Sequence, residues 1–337
     1  MPTQPVTAAK PAAELGPGLS LVTDAADMAR VVCNLTGLRV HGWIERLSSP
    51  RRQAFTVELE LPGGEALPVR ITGQGRPVLM IHGLGGSHRD WDDALHTLAE
   101  QHQVHTFDLL GHGRRAQARK TPTLAQMAHD VAEVIAALRL ERPVLVGHSM
   151  GALVVMQYIR EHGADHLAGV CLIDQSPRIT NDEHWRLGLF GSLTRSQLKS
   201  TLGRLRSDFV DTVAREFLAR CRPLAGAGRS DAMAGRIARW AVAKVARACG
   251  TDQLIALLEN LADADFRDVV ARVTAPTMVV LGGVSHHYGG LPLERYYRDN
   301  LPDCTVRMYA ASAHSPHRQE PRRFAADLAA FAARRCI

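Results

Sequence analysis

Apolar runs and helix-period stretches alternate along most of this 337-residue chain. "AFTVELEL" and "LPVRIT", separated by Pro-Gly-Gly, alternate apolar and polar positions and predict an antiparallel hairpin. The pattern then changes to short, continuous apolar runs: "PVLMI" (77–81), "VHTFD" (104–108), "PVLVG" (143–147) and "AGVCLID" (168–174). Helical patterns lie between them, in "DWDDALHTLAEQ", "TLAQMAHDVAEVIAALRL" (123–140) and "MGALVVMQYIREH". Continuous apolar runs divided by amphipathic helices indicate a parallel sheet buried on both faces. The alternation stops after residue 174, and residues 176–265 read as mainly helical. It resumes with "PTMVVLG" (276–282), the helix "LPLERYYRDNL", the strand "CTVRMYA" (304–310) and the helix "PRRFAADLAAFAARR" (321–335).

The predicted architecture is therefore one α/β core, residues 54–175 and 266–337. A helical insertion, residues 176–265, enters after the sixth core strand. Residues 1–53 are expected to form a Pro/Ala-rich leader and one helix over 23–38, with Thr23 or Asp24 as its N-cap.

Composition narrows the class without changing that picture. Apolar residues make up 46% and charged residues 22%, a globular profile. The net charge of +6 is spread without a run of five or six like charges, which argues against a nucleic-acid arm. Six scattered cysteines without a C-x-x-C pair argue against zinc and against a disulfide framework. No run of eighteen apolar residues suggests a membrane span, and a reduced, cytoplasmic protein is the expectation.

The most informative stretch is "VLVGHSMGA" (144–152), in which Gly147-His148-Ser149-Met150-Gly151 fits G-x-S-x-G between a strand and a helix. A serine on such a turn is held in strained backbone, with no room for side chains two residues to either side. The helix behind it offers N–H groups to developing negative charge. The plainer reading is a tight turn that merely contains serine. "LMIHGLGGSHRDW" (79–91) lets the backbone turn so that the N–H of Leu84, with that of Met150, forms a two-donor oxyanion hole. Losing one such donor typically costs about 100- to 1,000-fold in rate. The rival there is a dinucleotide loop, but His88 stands where its third glycine belongs. His82 reads as a brace for the loop and Asp108 as a brace for "LLGHG", while Arg114 and Arg115 read as solvated. "AASAHSPHRQEP" (310–321) brings a base to the same sheet edge, with His314 and His317 competing. As metal ligands, His314, His317 and Glu320 are set against by Pro316, which breaks any helix that would align them.

"HGLGGS", "FDLLGHG" (107–113), "GHSMG", "LIDQSPR" and "AHSPHRQEP", in that order, resemble the α/β-hydrolase superfamily, specifically its cap-bearing, esterase/haloperoxidase-like serine hydrolases. The resemblance covers about residues 54 to 335. It implies a Ser-His-acid triad, an acyl-enzyme mechanism and no cofactor or metal, and it favours His314 as the base. The acid is displaced. Relatives place it just after "TMVVLGG", where Val284 and Ser285 stand here. Asp174, at the end of "GVCLID" beside the nucleophile strand, is the candidate acid; its rival role is to anchor the following "SP" turn. Another carboxylate or a degraded triad are the alternatives, although Glu294, Asp299 and Asp303 are poorly placed. His286, His287 and Tyr288 occupy the vacated loop, and the histidine pair reads as exposed and idle.

Residues 178–250 hold 14 Lys/Arg against 6 Asp/Glu. A basic lid would attract an anionic or carrier-bound acyl substrate; the plainer reading is a solvated helical face. Trp185 and Phe190, with His148, are candidate substrate-binding residues, the first two lining an acyl pocket or else packing the insertion onto the core. The expectation is thus a serine hydrolase acting on a small acyl ester through Ser149, His314 and Asp174. The alternatives are a thioesterase or acyltransferase on a carrier-bound acyl group, or a ligand-binding protein on a decayed hydrolase fold.

Overall fold

The computed structural model describes residues 54–61, 64–116, 121–221 and 230–333. The leader and the helix expected over 23–38 lie outside them. The hairpin forms β1 (Ala54–Glu60) and β2 (Ala66–Thr72), and the apolar runs form β3 (Arg76–Ile81), β4 (His102–Phe107), β5 (Val144–His148), β6 (Gly169–Ile173), β7 (Thr277–Gly282) and β8 (Cys304–Tyr309). These make one eight-stranded sheet in the order β1-β2-β4-β3-β5-β6-β7-β8. The β1–β2 and β2–β4 pairs are antiparallel and all others parallel.

Strand alternation explains the unbroken apolar runs. In β3, Leu79 and Ile81 enter one hydrophobic cluster while Val78 and Met80 enter the other. In β7, Val279 and Leu281 divide from Met278 and Val280 in the same way. Both faces of the sheet are thus covered, each buried methylene contributing about 0.8 kcal/mol. Helices α1 (Asp92–Leu98) and α11 (Pro321–Ala333) cover one face, and α2 (Leu124–Ala137) and α3 (Met150–His162) the other. Thr123 caps α2, its hydroxyl accepting from the N–H of Gln126. The expected helix from residue 90 is divided: a 3-10 turn, His88–Trp91, capped by Ser87 and Asp90, leads into α1.

Between β6 and β7 the chain forms α4 (Arg195–Ser207), α5 (Phe209–Cys221), α6 (Ser230–Cys249), α7 (Thr251–Asp263) and the short α8 (Arg267–Val270). α4 buries Leu198, Leu202 and Leu205 and exposes Arg195, Lys199, Arg204 and Arg206. α7 meets the core where Asn260 Oδ1 accepts from the N–H of Leu124 at 2.8 Å. α6 meets it at Gly85, where an added Cβ would lie 2.8 Å from a Val245 methyl. After β7 come α9 (Gly290–Asn300) and, beyond β8, the single turn α10 (Pro316–Gln319). Pro316 starts that turn at its first position, where its missing N–H costs nothing, instead of breaking a helix.

One expectation is corrected outright. Arg115 is buried, not solvated: its guanidinium lies 2.6 Å from Asp130 and 2.8 Å from Glu65. Two carboxylates compensate the desolvation that a lone buried cation would suffer. Arg114 is exposed as expected.

Candidate active site

The turn at Ser149 shows why its sequence carries two glycines. A Cβ on Gly147 would lie 2.6 Å from the Ala152 Cα, and one on Gly151 2.6 Å from the carbonyl of His82. Neither neighbour is a side chain that can move aside. Ser149 between them has φ 52° and ψ −124°, a conformation that costs of order 1–3 kcal/mol in a residue with a Cβ. Its N–H donates to the carbonyl of Ile173 at 3.0 Å, and its carbonyl accepts from Ala152 at 2.8 Å. The strained residue is fixed from both sides.

His314, on the loop after β8, links this serine to Asp174. Nε2 lies 2.9 Å from Ser149 Oγ, and Nδ1 lies 2.7 Å from Asp174 Oδ2. A carboxylate accepts, so Nδ1 carries the proton and Nε2 presents its lone pair to the hydroxyl. Burial pulls His314 below the ordinary histidine value, which keeps the ring neutral at pH 7.

Asp174 anchors the loop after β7 and faces His314. Its backbone has φ 46°, and its N–H donates to the carbonyl of Val280 at 2.8 Å. Oδ1 accepts from the N–H of Gly282 at 2.9 Å; Oδ2 accepts from Ser285 Oγ at 2.6 Å as well as from His314. Complete burial pushes this carboxyl up, while the Ser285 hydroxyl and the Gly282 N–H act in the opposite direction. Ser285, in the loop where relatives carry the acid, is therefore a hydrogen-bond donor to the Asp174 carboxyl.

The loop after β3 lies against Ser149. A Cβ on Gly83 would be 3.1 Å from that of Ser149 and 3.0 Å from His148 Nδ1. His82 braces this loop, its Nδ1 lying 2.8 Å from the carbonyl of Gly83 and its Nε2 accepting from the N–H of Leu109 at 3.0 Å. Leu84 follows, packed on the larger core cluster, and Met150 is the first residue of α3. Asp108 accepts from the backbones of His88 and Arg114 and from the His88 ring, tying the β3 and β4 loops together. His88 thus has a bracing contact of its own.

The remaining sequence candidates divide. His148 donates from Nε2 to the carbonyl of His314 at 2.8 Å, so that nitrogen holds the His314 loop in place. Phe190 contacts the ring of His287, which stacks on His314. Trp185 is placed elsewhere. Its indole N–H donates to the carbonyl of Arg178, and its ring meets Tyr296 edge-on and the Arg267 guanidinium, in an open groove of about 840 Å³ whose lining does not include Ser149 or His314. His317 is buried between Trp91 and His148, without the company of metal ligands: no group of metal-binding side chains occurs among the described residues.

The vacated loop also differs from its reading as idle. His286 is exposed, but His287 lies over His314, and Tyr288 is buried with its hydroxyl accepting from Gln175 at 2.6 Å. Sequence reasoning missed Ser285 as a donor, His287 as a neighbour of His314 and His148 as a brace of the His314 loop. The available signal was proximity in sequence to the displaced acid and to the nucleophile.

A mostly parallel sheet flanked by helices, with serine on a strand–helix turn and histidine after the last strand, defines the α/β-hydrolase class. The chain belongs to the alpha/beta hydrolase family, whose profile matches residues 78–327, and it is an esterase-like hydrolase of that family. It is 27% identical over 276 residues to a pimeloyl-[acyl-carrier protein] methyl ester esterase from Vibrio cholerae, covering 80% of this chain and 99% of that one. It is 30% identical over 220 residues to a non-heme haloperoxidase from Rhodococcus erythropolis, covering 62% and 75% respectively. Among solved structures, an esterase from Exiguobacterium antarcticum matches 83% of this chain and all of its own with a TM-score of 0.69 at 19% identity, a likeness of fold. No helix among the described residues is long and apolar enough to cross a membrane.

Proposed function

We propose that this hydrolase cleaves a small carboxylic ester through an acyl-enzyme formed on Ser149. The observation that carries the reading is the single imidazole of His314, 2.9 Å from the serine hydroxyl and 2.7 Å from a buried carboxylate. His314 Nε2 takes the Ser149 proton as Oγ attacks the ester carbonyl. The carbonyl oxygen becomes an oxyanion beside the N–H groups of Leu84 and Met150. Asp174 holds the ring in its productive tautomer and offsets the imidazolium charge. His314 then gives the proton to the departing alkoxide; water, deprotonated by the same nitrogen, attacks the acyl carbonyl, and that proton passes to Ser149 Oγ as the acid leaves. Every step uses groups of this chain, with no metal or cofactor required. The 2.7 Å contact also weighs against a decayed site.

p-Nitrophenyl acetate and butyrate turnover tests this directly. Wild type should give a burst of nitrophenol and react with a fluorophosphonate at Ser149, and Ser149→Ala should do neither. Turnover that survives Ser149→Ala would overturn the reading.

A second reading, favoured by the exposed Arg195, Lys199, Arg204 and Arg206 of α4, is that the acyl group arrives on an acidic carrier. The Vibrio cholerae relative, by its name, acts on a carrier-protein ester. In that case kcat/KM for a carrier-bound ester should fall steeply with ionic strength, while that for p-nitrophenyl butyrate should not. Products formed with added alcohols or thiols would separate hydrolysis from acyl transfer. Residues 176–265 are then the lid over the acyl chain, with Phe190 at its inner edge.

A further inference from the structure

His287 has a position that neither the nucleophile turn nor the acid explains. Its ring lies parallel to that of His314, with centroids 3.8 Å apart and planes 13° apart. That is van der Waals contact over a whole face, not a passing edge contact. The ring is held there by its backbone: the N–H of His287 donates to Ser285 Oγ at 3.3 Å, and its carbonyl accepts from the N–H of Phe190 at 2.7 Å. Ser285 in turn holds Asp174, and Phe190 sits at φ 58°, with its own ring 5.4 Å from that of His287. The His287 backbone therefore joins the Ser285 loop to the entrance of the helical insertion, while its ring covers that of His314.

We infer that His287 is a positioning residue for His314: its flat face fixes the plane of the base and keeps water from that face, while its ring nitrogens take no part in the reaction. The inference rests on the proposed role of His314. The ionisable groups around His287 are His314 on the loop after β8, Asp174 after β6, His148 at the end of β5 and His286 beside it in sequence. Burial keeps His287 neutral, so it puts no like charge against the imidazolium that His314 becomes.

Two effects follow from removing the ring, with different sizes. An aromatic face over a cation is attractive, and its loss alone would make His314 harder to protonate. Admitting water to a buried imidazole acts in the opposite direction and is the larger effect, since burial shifts such groups by up to about 3–5 pH units. The net result is a base that protonates at higher pH and is held less well.

The experiment compares His287→Ala with His287→Phe, which keeps a flat ring of similar size and removes both nitrogens. With p-nitrophenyl butyrate, His287→Ala should lose about tenfold in kcat, equivalent to roughly 1.4 kcal/mol of misplacement, with KM changed less than twofold. The acid limb of its kcat/KM profile should move up by about one pH unit. His287→Phe should restore kcat, KM and the limb to near wild-type values. A Phe variant as impaired as the Ala variant would overturn the inference, because the imidazole nitrogens would then be required. An Ala variant altered only in KM, or unaltered, would overturn it as well. Ser149→Ala and His314→Ala, assayed alongside, separate the two levels: turnover surviving in either would remove the base reading itself, and the inference with it.

Discussion

The loops leaving β6 and β7 divide between them what one residue often does alone. The β6 loop supplies the carboxyl group: Asp174, buried, with one oxygen on the His314 ring. The β7 loop supplies only donors, the N–H of Gly282 and the hydroxyl of Ser285, both directed at that carboxylate. The strands are neighbours, pairing Ile173 with Val280, so both loops end at the same histidine. What the imidazole requires is an anion within hydrogen-bond reach of Nδ1; which strand carries it is secondary. The exchange has a consequence. A buried carboxylate with one partner would be costly, and the β7 loop reduces that cost by donating to both of its oxygens.

The largest effect that would sharpen this contrast is on the β6 side. Asp174→Asn should lower kcat of p-nitrophenyl butyrate hydrolysis by about 10⁴-fold, since the amide offers His314 neither charge nor the correct tautomer. A loss under tenfold would make Asp174 an anchor of the β7 loop alone. The contrast can also be inverted. In an Asp174→Ala, Ser285→Asp double variant the carboxylate moves to the β7 loop, within one hydrogen bond's length of where Asp174 Oδ2 lies now. It should regain about 100-fold over Asp174→Ala, a strongly non-additive pair measurable by a double-mutant cycle. Ser285→Ala, which removes a donor from the carboxylate and leaves the charge, should cost about tenfold. The smallest effect is in pH. Burial lowers His314, and the base works only when neutral. Wild-type kcat/KM should therefore stay level as pH falls from 8 to about 6.5, the ordinary histidine value, and decline only below it. An acid limb centred above pH 6.5 would mean that the Asp174 charge outweighs burial.

Much of this was legible in the residue order. Continuous apolar runs fixed the parallel strands because both sheet faces are buried, and G-x-S-x-G carried its own steric reason, visible at Gly147 and Gly151. Asp174 was legible as a strand-end carboxylate beside the nucleophile strand. What the pattern could not convey was side-chain direction across the chain. Ser285 and His287 look like ordinary loop residues until β7 is set beside β6 and the loop folds over His314. Arg115 looked solvated because its partners, Glu65 and Asp130, are 50 and 15 residues away. Trp185 and Phe190 are five residues apart in a similar setting, yet one reaches the outer groove and the other the ring over the base. Phe190 does so through a positive φ that no simple propensity assigns to phenylalanine.

The most direct test of the relocated acid observes the proton between Asp174 and His314. In protein carrying ¹⁵N-labelled histidine, the Nδ1 proton of His314 should resonate far downfield of ordinary ring protons, as expected for a short, charge-assisted hydrogen bond. That signal should persist in Ser285→Ala and vanish in Asp174→Ala, with the other histidine resonances in place. A downfield signal that survives Asp174→Ala would contradict the assignment and place the anion that faces His314 elsewhere.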